Sequence, residues 1–517
     1  MTRFLSLSIL AIVMSTVVVL ATASLVSAAE FVVDPKGAAS ADGNPGTAAK
    51  PLKTVAKALE LAKGGDTILL ATGEYPAVAI SKVYEKPLAI LAAKDAKPVM
   101  TGGVSITKGG GVRLSGLTFT WPAGGRPAKG MTIFLNIVGS KDVEVSGCEF
   151  YDDVKLTRWV GWVCSIDGSE RVTVRDSKAH HFYFGFSASQ SKDVTFRNLD
   201  IGPWSHEDAL RTTECEGPIL IEGCHLNNAT VAGTKSGHAD GIQVVSWTDN
   251  LTIRNCHIQG VGQGFGAFGG QQRRSKNWRF EGNLVHDTYA SHVCSVYNCD
   301  GVTVVNNTFP HNQPILSGCT GGVVRNNICG LGDGAAKGGA VSDFNLWVTG
   351  RTKGGEHDLV GVEAKFVNAP LLMLKSELPK NNKEMTKSRI SVLGLGGRLA
   401  VGDVVEVFNS DGSARDAKPR KVTAVDGNWL EIDPPIPNPP DWAGVAIYKW
   451  PADAKSLVPD YRLKADSPAI DSADGSVKRV RDRDGHEPTD VPAVANTGAG
   501  EVKFLDRGAF EFVPAKP

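Results

Sequence analysis

A short pattern of alternating apolar residues recurs nine times between residues 112 and 329. Each copy reads apolar-x-apolar-x, followed by a glycine, asparagine or aspartate, a small or polar residue, and a further x-apolar pair. The copies are VRLSGLTF (112–119), VEVSGCEF (143–150), VTVRDSKA (172–179), VTFRNLDI (194–201), ILIEGCHL (219–226), LTIRNCHI (251–258), WRFEGNLV (278–285), VTVVNNTF (302–309) and GVVRNNIC (322–329). They begin 20 to 32 residues apart.

Alternation with a period of two indicates β-strand. The fifth position always holds a residue that tolerates a left-handed backbone, so it predicts a bend at the same place in each copy. Strands at this spacing, without a helical pattern between them, are typical of a β-solenoid. In a solenoid the sixth-position side chains would stack from coil to coil: Leu117, Cys148, Ser177, Leu199, Cys224, Cys256, Asn283, Asn307 and Asn327.

This pattern resembles that of the right-handed parallel β-helix proteins, the pectate-lyase-like superfamily, over about residues 31–350. The opening segment also resembles the start of secreted members, with Asn44-Pro45-Gly46-Thr47 and Gly73-Glu74-Tyr75. Between these two motifs, residues 51–62 form a short amphipathic helix that would cap the first coil. The apolar face of the helix consists of Leu52, Val55, Leu59 and Ala62. The predicted fold is an all-β, single-stranded right-handed parallel β-helix with an N-terminal capping helix.

The chain divides into five predicted segments. Residues 1–28 have the basic start, apolar run and Val26-x-Ala28 ending of an export signal, although the run is long enough for an uncleaved membrane anchor. The β-helix covers 29–350, a connection 351–385, and a small antiparallel β-barrel or sandwich, inserted before the end of the chain, 386–450. Residues 451–517 are expected to return to the β-helix. These features predict a secreted, periplasmic or cell-surface protein.

The charge of the chain limits the classes of partner that we expect. The 55 basic and 55 acidic residues give zero net charge, which argues against nucleic acid or an anionic membrane as partner. We expect a monomer with no membrane contact once the signal is removed.

Nine cysteines leave at least one thiol unpaired. Cys294 and Cys299 are close enough for a local disulfide, although both also suit buried thiols.

Two matching polar motifs interrupt the repeats. WSHEDALRTT (204–213) and SGHADGIQVV (236–245) both contain His-x-Asp-x-[Leu/Ile]-[Arg/Gln]. Equivalent residues on neighbouring coils lie about 4.8 Å apart. Stacking the motifs therefore pairs six candidate catalytic residues: His206 with His238, Asp208 with Asp240, and Arg211 with Gln243.

The first motif and its neighbouring coils add candidate substrate-binding residues to an exposed patch on one side of the solenoid: Glu207 from the motif, and His181, Tyr183, Gln263, Tyr289 and His292 from the neighbouring coils. Ala209 and Gly241 are small enough to leave a shallow floor for a ligand. Strict alternation turns Asp208 and Asp240 inward, so they face the patch only if the strand begins with a bend beside them. The basic cluster Arg273, Arg274 and Lys276 is a solvated loop or a border of the patch.

The resemblance implies a polysaccharide substrate, and two chemistries remain open. In β-elimination from a uronate, Arg211 would pair with the sugar carboxylate. His206 or His238 would be the base, and Tyr183 or Tyr289 the proton donor. Ca²⁺ is a candidate cofactor, with Glu207, Asp208 and Asp240 as possible oxygen ligands.

In hydrolysis, by contrast, Asp208 and Asp240 would be the working pair. A third alternative is a non-catalytic glycan-binding or cell-surface β-helix. The Gly-Asp-Asp and Gly-His-Gly motifs of polygalacturonases and the Arg-Pro motif of the best-known pectate lyases are missing. No catalytic role is therefore carried over from those families.

Overall fold

The protein is described by a computed structural model that covers residues 28–121, 132–152, 161–229, 239–269, 273–288, 293–332, 340–350, 355–377, 384–392, 394–409, 415–438, 444–454 and 456–514. The predicted export signal (1–28) lies outside these residues except for Ala28. Within the described ranges no helix is both long and apolar enough to cross a membrane.

Three long parallel sheets form the body of the described chain, and we number them 1 to 3. Sheet 1 contains Glu30–Val33, Thr67–Leu70, Val83–Ala92, Gly110–Ser115, Lys141–Ser146, Glu170–Arg175, Lys192–Arg197, Ile219–Glu222, Leu251–Arg254, Ser275–Glu281, Cys299–Val305, Thr320–Arg325 and Ala340–Asp343. Sheet 2 contains Gly73–Tyr75, Pro98–Met100, Thr118–Phe119, Glu149–Tyr151, Lys178–His180, Asp200–Ile201, His225–Asn227, His257–Val261, Leu284–Thr288, Thr308–Phe309, Ile328–Gly332, Leu346–Gly350 and Leu359–Val360. Sheet 3 contains Val78–Ile80, Val104–Thr107, Thr132–Val138, Gly161–Asp167, Phe184–Ser189, Leu210–Cys215, Ile242–Thr248, Phe265–Gly269, Cys294–Tyr297 and Pro314–Ser317.

Each coil visits the three sheets in the same order. The strand Lys141–Ser146 in sheet 1 leads to Glu149–Tyr151 in sheet 2 and Gly161–Asp167 in sheet 3, and the next coil starts at Glu170. The bend between sheets 1 and 2 falls on the fifth repeat position, where Gly147 has a φ of 59° and Asn255 a φ of 53°. The predicted parallel β-helix is therefore confirmed, and the bend lies where the sequence places it.

The sixth repeat position forms a buried ladder, as predicted. Asn283 Nδ2 donates to Asn307 Oδ1 at 3.0 Å, and Asn307 Nδ2 donates to Asn327 Oδ1 at 3.0 Å. The ladder continues beyond the nine repeats, because Asn327 Nδ2 donates to Asn345 Oδ1 at 2.9 Å. These amides satisfy backbone groups that the bends leave without strand partners.

The capping helix is present but shorter than predicted. It covers Val55–Leu61, with Thr54 as N-cap, whose side chain accepts a hydrogen bond from Lys57 N. Leu52, Val55 and Ala62 are buried, and Leu59 packs partly buried against the core. The helix therefore closes the first coil with its apolar side.

All nine cysteines lie in the described part of the chain, and each is a free, buried thiol. Cys294 lies in sheet 3 and Cys299 in sheet 1, so the strand turn between them separates the two residues. Burial raises the pKa of the Cys148 thiol to about 12. The cysteines therefore act as small core residues.

A small antiparallel sheet follows the β-helix and consists of Leu372–Glu377, Arg389–Ser391, Val404–Asn409, Arg420–Asp426, Trp429–Asp433 and Gly444–Trp450. Its first strand, Leu372–Glu377, lies in the segment that the sequence assigns to the connection (351–385). This strand belongs to the module because it pairs with the distant strand Gly444–Trp450. The connection also holds Leu359–Val360, which adds a last strand to sheet 2. The strand Phe366–Asn368 pairs with Asp460–Leu463.

A buried ion cluster joins this antiparallel module to the β-helix. Arg415 Nη1 donates to Asp287 Oδ2 at 2.8 Å, and its Nε and Nη2 donate to the two carboxylate oxygens of Glu406 at 2.7 and 2.9 Å. Burial alone would raise the pKa of Asp287, but the charges of His286 and Arg415 hold it well below its usual value. The final segment also packs on the β-helix, since Gly508 N donates to Asn326 O at 2.7 Å.

Candidate functional site

The two polar motifs stack in the register that the sequence predicts. In sheet 3, Leu210 pairs with Ile242 and Arg211 with Gln243. The preceding coil contributes Ser187 beside Arg211, and the following coil contributes Gly266 beside Gln243. Residues about thirty positions apart in the chain are therefore neighbours.

Asp208 and Asp240 sit at the bend that opens each strand, because Leu210 and Ile242 are the first strand residues. The expectation that both carboxylates lie in an exposed patch is wrong, since both residues have 0% exposure. The expected shallow floor at Gly241 is also wrong. A Cβ there would lie 2.8 Å from both Gly264 O and Ile258 Cγ2, so packed atoms fill that space.

Arg211 joins the buried and exposed parts of the cluster. Its Nε donates to Asp208 Oδ2 at 2.6 Å and its Nη2 donates to Glu207 Oε2 at 2.7 Å. The guanidinium carbon lies 4.5 Å from the centroid of the Phe184 ring. The Arg211 side chain remains 25% exposed. It is therefore a fixed cation that solvent can reach.

Gln243 repeats this arrangement one coil further on with an uncharged group. Its Nε2 donates to Asp240 Oδ2 at 3.1 Å. Burial raises the pKa of Asp240 to about 8, and the charge of Asp208 adds to the increase. Burial also raises the pKa of Asp208 to about 7, against the opposing effect of Arg211. Near neutral pH the two carboxyl groups therefore hold at least part of a proton between them.

His206 lies at the rim of the cluster in a strained conformation. Its φ is 89°, which is costly for a residue other than glycine. Its ring stacks on Tyr183 with 4.7 Å between centroids, and its Nδ1 lies 4.0 Å from Glu207 Oε1. Trp204, which is buried below this loop, donates from Nε1 to Glu207 O at 2.8 Å and holds the loop in place.

Several buried polar atoms of the cluster have no hydrogen-bond partner: His206 Nδ1, Asp208 Oδ1, Asp240 Oδ1 and Gln263 Oε1. Buried polar groups are normally paired, so these atoms call for a physical reason. All four belong to residues that the sequence assigns to the site. Water or a ligand with hydroxyl groups would supply the missing partners.

The structure describes only some of the remaining candidate residues. His181 lies one coil before the motifs, and its Nδ1 is 2.8 Å from His180 Nδ1. Burial lowers the pKa of His181, and the neighbouring His180 lowers it further. His238, Tyr289 and His292 lie outside the described residues. For these three, the sequence prediction stands as a prediction.

Two of the three carboxylates proposed as Ca²⁺ ligands are directed toward a cation of the protein itself. Arg211 bonds one oxygen each of Glu207 and Asp208, and Asp240 is paired with an amide. Among the described residues, no group of three or more His, Cys, Asp or Glu side chains is arranged to hold a metal ion. These residues do not fit Ca²⁺, because Arg211 already supplies the positive charge between two of them.

Two residues of sheet 3 that contribute to the site were not predicted from the sequence. Phe184, which supports Arg211, lies two residues before Phe186, the register partner of Leu210. Aligning a third coil with the two motifs would have found it. Trp247 lies in an irregularity at the other end of the strand Ile242–Thr248, and the repeat pattern carries no signal for it.

Together, these observations define a right-handed parallel β-helix with a built polar cluster on its third sheet. Residues 162–330 match the family model described as the right-handed β-helix region. Residues 38–136 match the family DUF1565, described as proteins of unknown function. The protein thus has the right-handed parallel β-helix fold, as the sequence predicts.

Solved structures of similar fold are distant in sequence. Pectate lyase Pel9A is 15% identical with a TM-score of 0.42, covering 94% of this chain and 97% of its own. XylC in complex with xylose is 8% identical with a TM-score of 0.47, covering 70% and 91%. The A-module of the Azotobacter vinelandii mannuronan C-5 epimerase AlgE6 is 15% identical with a TM-score of 0.33, covering 59% and 91%. None of the curated proteins matches this sequence.

Proposed function

We propose that the protein is an exported carbohydrate-active enzyme, a polysaccharide lyase that cleaves uronate-containing polysaccharide by β-elimination. The observation that carries this proposal is the position of Arg211. Two carboxylates and an aromatic ring hold its guanidinium in place, yet it remains partly exposed. One of these carboxylates, Glu207, also lies 4.0 Å from His206, whose ring stacks on Tyr183. A fixed guanidinium of this kind suits the planar carboxylate of a uronate.

In the proposed reaction, Arg211 binds the uronate carboxylate and stabilises the negative charge that develops when C5 loses its proton. His206 takes that proton on a ring nitrogen. The C5–H electron pair forms the C4=C5 double bond, and the C4–O bond breaks. Tyr183 donates its phenolic proton to the leaving oxygen. The proton on His206 then returns to Tyr183 through solvent, and the product is an unsaturated uronate.

The buried aspartate pair would balance charge during binding. A uronate at Arg211 places a third carboxylate near a guanidinium that already contacts Glu207 and Asp208. Since the pKa of Asp208 is raised to about 7, a further nearby anion would lead it to take up a proton. Asp208 and Asp240 act in this account as positioning residues.

The test is a panel of polyuronates and mixed acidic polysaccharides, followed by ultraviolet absorbance of the unsaturated uronate. We expect absorbance to increase with at least one polymer and to disappear in His206→Ala. The proposal fails if no polymer yields the absorbance at any pH at which the protein is folded. His225→Ala is a matched control, because His225 is a partly exposed histidine on sheet 2.

The raised pKa values of Asp208 and Asp240 favour a second candidate, hydrolysis by this carboxyl pair. Retaining glycosidases use carboxyl groups about 5–5.5 Å apart, near the spacing of adjacent coils. The burial of both groups counts against direct contact with a polymer. Release of reducing ends without ultraviolet absorbance would identify the hydrolase. Binding without any cleavage would identify a glycan-binding protein.

A further inference from the structure

A β-bulge places a tryptophan at the far end of the same strand pair. Register is regular through Thr213 and Val245 and resumes at Cys215 and Thr248, so the later strand holds one extra residue. Ser246, in the bulge, has a φ of 66°, which is costly for a serine. Trp247 follows directly and is partly exposed.

Arg273 from the next coil fixes the indole. Its guanidinium carbon lies 3.6 Å from the centroid of the Trp247 ring, and its Nη2 donates to Asp249 Oδ2. Asp249 Oδ1 is buried without a partner. Stacking and ion pairing together hold the tryptophan in one orientation before any ligand arrives.

Trp247 borders a cavity of about 450 Å³ at the edge between sheets 3 and 1. The charged and amide side chains of its lining are Glu170, Gln190, Lys192, Glu214 and Glu216. Gln190 Nε2 donates to Glu214 Oε2 at 3.2 Å, and Lys192 Nζ lies 3.7 Å from Glu170 Oε2. Three carboxylates and one ammonium give this lining a net negative charge.

We propose that this cavity binds an uncharged sugar residue of the polysaccharide. The indole face that Arg273 leaves uncovered offers an apolar surface for the C–H face of a sugar ring. The carboxylates and the amide form hydrogen bonds with the hydroxyl groups of that sugar. The negative lining repels the carboxylate of a uronate. Glu214 lies three residues after Arg211, about 10 Å along the same strand.

This inference rests on the proposed function and narrows its substrate class. Arg211 favours a uronate at one end of the strand, and the Trp247 cavity favours a neutral sugar at the other. The preferred polymer is therefore one that contains both kinds of residue, rather than a chain of uronates alone.

Affinity electrophoresis tests this directly, using gels that contain either polygalacturonate or a rhamnogalacturonan backbone that alternates uronate with neutral sugar. We expect Trp247→Ala to weaken binding to the alternating polymer about tenfold or more, which corresponds to the loss of one good contact. Binding to the homopolymer should not change, and Trp247→Phe should retain most of the affinity. Trp429→Ala is the matched control, because Trp429 lies under Arg389 at 4.4 Å in the antiparallel module.

The inference is overturned if Trp247→Ala binds the alternating polymer as the unsubstituted protein does, or if Trp429→Ala loses as much affinity. It is also overturned if the unsubstituted protein is retarded by neither polymer. Tryptophan-dependent retardation without unsaturated products would leave the cavity assigned and the lyase proposal rejected. Unsaturated products formed by Trp247→Ala with an unchanged KM would support the lyase proposal and reject the assignment of the cavity.

Discussion

Arg211 and Gln243 are register partners on adjacent coils, and each bonds the aspartate three residues before it in its own motif. The first pair is ionic and the second joins a carboxyl group to an amide. One cation therefore faces two buried carboxyl groups, and burial raises the pKa of both. Of the four side chains Arg211, Asp208, Gln243 and Asp240, only Arg211 is both charged and reached by solvent.

The aspartate pair predicts how stability depends on pH. The pKa of Asp240 is raised from 3.8 to about 8, so the folded state holds a proton that the unfolded state has released. The free energy of unfolding therefore decreases as pH rises between these values and levels off above them. In Asp240→Asn the carboxyl group that holds this proton is replaced by an amide that does not titrate. Urea unfolding should show the variant gaining stability relative to the unsubstituted protein between about pH 5 and about pH 8.5.

Asp426→Asn is the control for this measurement, because Asp426 is exposed in the antiparallel module. Its free energy of unfolding should follow that of the unsubstituted protein at each pH. A pH dependence of Asp240→Asn that is identical to that of the unsubstituted protein would contradict the raised pKa.

The asparagine ladder predicts a large effect from a single amide. Asn307 donates to Phe280 O, Val305 O and Asn327 Oδ1 and accepts from Asn283. Asn307→Ala leaves several of these buried groups unpaired and should lower the free energy of unfolding by about 2–4 kcal/mol. Cys148→Ala, at the same repeat position, should cost less than about 1.5 kcal/mol. Equal costs for the two would show that the ladder adds little.

Arg415 predicts how firmly the antiparallel module is attached. Removing it leaves Asp287 and Glu406 buried without their cation, since their side chains are 6% and 0% exposed. Arg415→Ala should cost about 3–5 kcal/mol and open the module to limited proteolysis. Arg389→Ala, whose side chain is 39% exposed, should cost less than about 1 kcal/mol. Unchanged proteolysis of Arg415→Ala would indicate another attachment.

Arg211 also predicts that the proposed reaction does not depend on Ca²⁺. Its guanidinium occupies the position between Glu207 and Asp208 where a Ca²⁺ ion would need their oxygens. The initial rate should be the same after chelation with EDTA and after Ca²⁺ is added back. A rate that falls on chelation and recovers with Ca²⁺ would show that the ion binds elsewhere or displaces Arg211.

Local patterns predicted the coil, because the physical constraint repeats in each copy. A residue such as Gly147 or Asn255 is needed at each bend, and the side chain after it must stack on its neighbours. The register of Leu210 with Ile242 followed from the same repeats. These features depend on residues within one coil and its neighbour.

Strict alternation turns Asp208 and Asp240 inward, but whether the bend beside them brings the carboxyl groups to the surface was not predictable in the same way. Whether Asp208 faces solvent depends on the bend at Ala209, on Arg211 folding back over it, and on the packing of Trp204 below the loop. The bulge at Ser246 and the pairing of Leu372–Glu377 with Gly444–Trp450 likewise arise from tertiary contacts. No periodic pattern in the sequence records such contacts.

The measurement that tests the central claim most directly is the initial rate of unsaturated-uronate release by Arg211→Ala, with Arg113→Ala as control. Arg113 is a more exposed arginine on sheet 1 and lies 3.4 Å from Glu144. We predict that Arg211→Ala loses about 100-fold or more in rate, as expected when a group that stabilises the transition-state charge is removed. Its melting temperature should stay close to that of the unsubstituted protein, because Asp208 can take up a proton in place of the lost cation. A rate equal to that of Arg113→Ala would contradict the account.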